Sequence, residues 1–381
     1  MTMKIDRRAL IAGGSVAMAG AALGPRAMAA AVGGSDPVAG RIVINALGGL
    51  GDPNSPEGGD AVLFSPRVLE EAHASGLTAV NVTLGYVSGP QDPFEFSVRS
   101  IAETDAAMRA HPDRLLKILT AADIRKAKAE GKVGVIYGFQ NGAMMGNDAS
   151  RVDIFANLGV KVIQLTYNPA NQLGDGSMAP ENRGLTPFGR EVVERLNAAK
   201  VMVDLSHSGE QTCLEAARIS KAPISINHTG CRSVTNLPRN KTDAELRLVA
   251  ERGGFVGIYS MPFLNLSGHA TAEDVVRHID YAVNLCGEDH VGIGTDGTVT
   301  QIDDLVAYRA ALAKEIAERR AAGISAAGER PDTYPFVVDL RGPDQFRKLA
   351  RMLEAKGYSQ TRIDKILGLN FLRYAETIWG A

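Results

Sequence analysis

Beyond residue 40 the chain repeats one pattern: a short aliphatic or β-branched run, a polar break, and a longer stretch with helical spacing of apolar positions. Eight runs are predicted as strands, at 42–47, 78–84, 133–140, 161–168, 201–207, 223–229, 255–260 and 290–296. Each interval leaves room for a crossover helix, which makes neighbouring strands parallel, and eight such units suggest closure into a (β/α)8 TIM barrel. An open doubly wound sheet is the alternative. Local signals support the helices: Thr186-Pro187 places an N-cap before a helix-starting proline, Thr242 with Glu245 forms a capping box, and Thr271 with Asp274 forms a weaker one. A charged helical stretch follows the eighth run. With its Gly/Pro-containing linker it predicts an insertion at about 302–334 on a single domain spanning 30–381.

The first 29 residues read differently. Arg7-Arg8 precedes an uncharged Ala/Gly-rich stretch, and Ala27-Met28-Ala29 offers a small-x-small cleavage site. This predicts a Tat-type signal peptide and a periplasmic or otherwise extracytoplasmic protein, with no membrane span in the mature chain. Without that basic leader the formal charge of −2 becomes more negative, which argues against nucleic-acid and anionic-membrane partners. A hydrophobic content of 45% over 381 residues is enough for a sizeable core. Three cysteines, Cys213, Cys231 and Cys286, are too few for a disulfide framework or a paired-cysteine zinc site, although one bridge stays open.

Barrel enzymes place their chemistry at the C-terminal ends of the strands. Here the fifth run ends at His207, the sixth at His228-Thr229 and the eighth at Asp296. Strict alternation puts His207 on a face with Val203 and Leu205, His228 with Ile224 and Ile226, and Asp296 with Gly292 and Gly294, and all three are expected to face the mouth. Two imidazoles and a carboxylate at strand ends suit a metal or a catalytic cluster.

With these residues in view, the chain resembles the membrane (renal) dipeptidase family of zinc peptidases, which are metallo-dependent hydrolases. The resemblance rests on LTYNPANQLGDG and GLTPFGREVV within residues 159–193, VMVDLSHSGEQT, PISINHTGCRSV with PRN at 238–240, EDHVGIGTD, and GYSQTRIDKILGLNFLRY near the C-terminus. It implies a barrel that hydrolyses dipeptides or other small amides with two zinc ions. It also implies that His207 and His228 bind one ion, that Asp296 accepts a proton from the attacking water, and that Arg239 binds the substrate carboxylate. Tyr167 stands where the family has a substrate-contacting histidine. The resemblance further admits a homodimer.

Other positions depart from the family pattern. The family's HxD motif is replaced by Leu47 and Gly49, and its bridging glutamate by Gln140. A neutral amide can offer one oxygen to a metal but has no charge with which to hold two cations together. Asp52 is a weak substitute, while Glu57, Asp60 and Asp175 read as solvated loop residues. The expectation is therefore a dipeptidase-like hydrolase with at most one zinc, held by His207 and His228 with Gln140 or Asp296 as third ligand. The alternative is a metal-depleted barrel that binds or tailors a peptide-like metabolite.

Overall fold

The computed structural model describes residues 36–55 and 63–380, so the leader at 1–29, Glu57 and Asp60 lie outside the described residues. Nine strands form one parallel sheet: β1 (Ile44–Gly48), β2 (Ala79–Thr83), β3 (Leu115–Lys117), β4 (Val133–Phe139), β5 (Val160–Gln164), β6 (Met202–Asp204), β7 (Ser225–Thr229), β8 (Phe255–Ile258) and β9 (Val291–Ile293). Eight run in the order β1-β2-β4-β5-β6-β7-β8-β9, and β3 pairs with the first residues of β4. Contacts between β1 and the loop after β9 nearly close the ring: Gly49 N–H donates to Gly297 O at 3.0 Å, and Asp296 N–H to Leu47 O at 2.9 Å. The (β/α)8 barrel is thus the observed fold, and the open sheet is not.

Alternation sorts the strands into two layers. Val80, Val135, Ile163, Val203, Ile226, Val256 and Ile293 pack outward with helix residues such as Val192, Leu196 and Leu246. Ile44, Ala79, Ile136, Val162, Met202 and Phe255 fill the bottom of the barrel. The helix Asn370–Trp379 plugs that end, with Phe371 edge-on to Phe255 at 5.3 Å. Above the apolar layer the interior turns polar. Asn81, Gln164, Asp204 and Asn227 are each at most 1% exposed and carry side-chain atoms with no protein partner. Buried polar groups in that condition are ordinarily satisfied by ordered water.

The helix starts follow their sequence signals. Thr186 caps the helix Pro187–Ala198, and both Thr242/Glu245 and Thr271/Asp274 form capping boxes. After β9 the chain forms the helix Leu305–Ala321, capped by Asp304, and then a turn-rich return. No helix among the described residues is long and apolar enough to cross a membrane. Cys213, Cys231 and Cys286 are free thiols, two of them buried.

Candidate functional site

His207 and His228 meet over the mouth of the barrel, but alternation does not bring them there. Val203, Leu205, Ile224 and Ile226 face the helices, so strict pleating would send both imidazoles outward. Instead β6 stops at Asp204, and the turn after it is set by Asp204 Oδ1, which accepts from Ser206 N–H at 3.0 Å and from Ser206 Oγ at 2.5 Å. A register shift between Ile226 and Thr229 does the same for β7. The parity argument of the sequence is therefore corrected, while the meeting it anticipated is present: the two Nε2 atoms lie 3.0 Å apart.

Hydrogen bonding fixes the state of His207. Asn168 donates its amide Nδ2 to Ile324 O at 2.9 Å, which leaves its Oδ1, 2.7 Å from His207 Nδ1, to accept that ring N–H. Nε2 of His207 is then a bare lone pair. Gln140, anchored by its Nε2 on Thr83 Oγ1 at 2.7 Å, points Oε1 at the same Nε2 from 3.1 Å. Two acceptors at that distance repel unless a cation or a donor lies between them. Burial, and next to it the Arg239 guanidinium, holds both histidines well below their ordinary pKa of 6.5, so both are neutral.

Asp296 stands beside His228, its Oδ2 3.9 Å from His228 Nε2. Its backbone is left-handed at φ 57°, a conformation that aspartate tolerates better than most residues and that turns the carboxylate over the mouth. Burial raises its carboxyl pKa to about 6. Tyr167 stacks on His207 with ring centroids 4.2 Å apart.

Arg239 is not a surface residue. It is 2% exposed, donates from Nη1 to Ser206 O at 2.6 Å and from Nη2 to His207 Nε2 at 3.0 Å, and lies 5.7 Å over the Tyr259 ring. The loop that carries it is fastened by Lys241, which pairs with buried Glu245 at 3.0 Å.

Donors sharing one zinc at about 2.1 Å lie roughly 3.4 Å from each other. The 3.0 and 3.1 Å separations around His207 fit a single divalent cation, while Asp296 stands slightly wide of the group. A second cation has no such set. Among the described residues no three His, Cys, Asp or Glu side chains gather tightly enough to hold a metal by themselves. Asp52 is drawn into its own turn, its Oδ1 accepting from Asn54 N–H at 3.0 Å and from Asn54 Nδ2 at 2.8 Å. Asp175, expected to be solvated, is instead buried and paired with Arg183 at 2.9 Å.

A family model for membrane dipeptidases, peptidase family M19, matches residues 64–327. The chain belongs to the membrane dipeptidase family. Among relatives of this dipeptidase-family hydrolase, an uncharacterized Klebsiella pneumoniae protein from the pqqA 5' region is 27% identical over 77% of the chain and 99% of its own length. The dipeptidase tcpJ of Claviceps purpurea is 29% identical over 70% of the chain and 56% of that protein. A Pseudomonas aeruginosa amidohydrolase structure is 31% identical and covers 91% of this chain and 98% of its own, with a TM-score of 0.77. Membership of the membrane dipeptidase family implies a metal cofactor.

The structure thus gathers Gln140, Tyr167, His207, His228, Arg239 and Asp296 at one mouth. Asn168 and Ser206, which orient His207 and Arg239, were not singled out from the sequence. Asn168 follows Tyr167 directly, but its pairing with His207, 39 residues away, has no local signal in the sequence.

Proposed function

We propose that this chain is an exported hydrolase of dipeptides or small amides bearing a free carboxylate, built around one divalent cation, zinc being the first candidate. The observation that carries this reading is that His228 Nε2 and Gln140 Oε1 lie 3.0 and 3.1 Å from His207 Nε2, with Asp296 Oδ2 farther out, 3.9 Å from His228 Nε2. His207 and His228 would hold the ion and Gln140 would complete its protein ligands. A divalent cation in such a site supplies positive charge that polarises a carbonyl oxygen and acidifies water.

The chain's own residues supply the rest. Asp296 takes a proton from the attacking water, a role suited to a buried carboxylate whose proton affinity is raised toward the working pH. Arg239 offers a planar fork that matches a carboxylate, which favours compact acids over long peptides. Tyr167 forms a wall beside His207. A periplasmic location follows from the leader, and nothing in the charge of the chain invites nucleic acid.

A second reading, a barrel that binds a peptide-like metabolite without hydrolysing it, is favoured by one observation. The donor set is neutral, and Arg239 already engages the lone pair of His207. Turnover separates the two. Zinc-loaded protein assayed on a dipeptide panel, including D-residues at the C-terminal position, should hydrolyse at least one member and stop when chelator is added. Asp296→Asn should lower that rate by about 100-fold or more. No hydrolysis of any dipeptide by zinc-loaded protein contradicts the first reading and leaves the second.

A further inference from the structure

Arg239 is a buried cation that makes no ion pair with a carboxylate among the described residues, and it donates one N–H to the atom that would ligate a metal. The Asn168 contact forces His207 to present a lone pair at Nε2, and Arg239 Nη2 takes that lone pair at 3.0 Å. Its other terminal nitrogen is held by Ser206 O, so both ends of the fork are occupied by the protein. A lone pair serves one electrophile at a time. A guanidinium N–H on His207 and a divalent cation on His207 therefore exclude each other.

We propose that Arg239 is a built-in counterpart of the metal: it occupies the ligand atom of His207 until a substrate carboxylate engages the guanidinium and draws it aside, so that carboxylate and cation bind cooperatively. This rests on the single-cation reading above and deepens it. To pair with a carboxylate through two parallel hydrogen bonds the guanidinium must turn away from Ser206 O and His207 Nε2. Turning uncovers the lone pair. By linkage the effect is reciprocal, and a cation on His207 must tighten carboxylate binding by the factor by which the carboxylate tightens the cation. The arrangement also makes chemical sense of a neutral donor set. Two imidazoles and an amide hold a divalent ion less firmly than a set with a carboxylate, so a guanidinium N–H can compete for the ligand atom when no substrate is present.

The test uses Co2+, whose visible absorption reports imidazole and oxygen ligation directly, with calorimetry for affinity. Full-length protein is titrated alone and with a dipeptide whose peptide bond is N-methylated against hydrolysis, supplied as the free acid and as its C-terminal amide. The free acid should tighten Co2+ binding by about tenfold, within the usual range of coupling between sites, and the amide should not. Arg239→Met should bind Co2+ about tenfold more tightly than the parent with no dipeptide present and should show no difference between acid and amide. Arg239→Gln, which keeps a polar group in the buried position, provides the same comparison should the methionine variant not fold. Equal Co2+ affinity in parent and variant, or an acid effect that persists in the variant, overturns the coupling and leaves the single-cation site standing. Failure of every protein to take up Co2+ removes both.

Discussion

The side-chain amide of Asn168 donates to the backbone carbonyl of Ile324 at 2.9 Å, and so the segment that follows the last strand of the barrel is tied to the candidate metal histidine. The other end of the same amide fixes the tautomer of His207. Partners of this kind commonly change metal affinity by about 10–100-fold when removed. Asn168→Leu should weaken cation binding on that scale and also make the 305–334 segment more sensitive to limited proteolysis. Asn168→Asp keeps an acceptor for His207 Nδ1 but loses the donor to Ile324, so it should loosen the segment and largely spare cation affinity. Calorimetry and timed proteolysis on the two variants separate the effects. Unchanged behaviour in Asn168→Leu contradicts the relay.

The proposal of a single cation can be tested by building in the family's second ligand set. A Cβ at Gly49 meets nothing within 4 Å, and Gln140 already points at His207, so the triple variant Leu47→His, Gly49→Asp, Gln140→Glu places the missing ligand types with little steric conflict at the glycine. Metal analysis should give two ions per chain in the triple variant and one in the parent. A parent that already holds two would show that the neutral residues are not what limits the site.

Acid sensitivity of folding should trace in part to His278. Its Nδ1 accepts from Cys231 N–H at 2.9 Å and its Nε2 faces Leu264 O at 3.1 Å, and burial lowers its pKa from 6.5 to about 4. The folded state therefore takes up this proton later than the unfolded state. Stability from this source is complete above about pH 6.5 and is lost as pH falls toward 4, by roughly 3 kcal/mol at most. Denaturant unfolding of metal-free protein at pH 7 and pH 5 should show the loss in the parent and a smaller one in His278→Gln. An equal loss in both would assign it elsewhere.

Much of this molecule was legible before its structure. All eight barrel strands and three capped helix starts follow from apolar runs and local capping chemistry, which act over a few residues. β3 was not anticipated, because Leu115–Lys117 is three residues long and lies just past a helix, where period-two alternation cannot register. The histidines were found from their positions at strand ends, yet the reason they converge was misread. Alternation holds only while a strand continues, and here one strand stops at Asp204 and another shifts register after Ile226. Asp175 was placed too near the solvent, since Arg183, with which it pairs, comes beside it only in three dimensions. The Asn168 relay depends on a backbone carbonyl 156 residues away, and no local pattern encodes that.

We propose that the two imidazoles 3.0 Å apart are where this chain holds a divalent cation. Equilibrate the purified protein with zinc, remove the excess, and count metal per chain in the parent, in His207→Ala and in His228→Ala, checking by circular dichroism that each is folded. One zinc in the parent and essentially none in either variant is the expected result. Zinc retained in both alanine variants, or a folded parent that never takes any up, would contradict it.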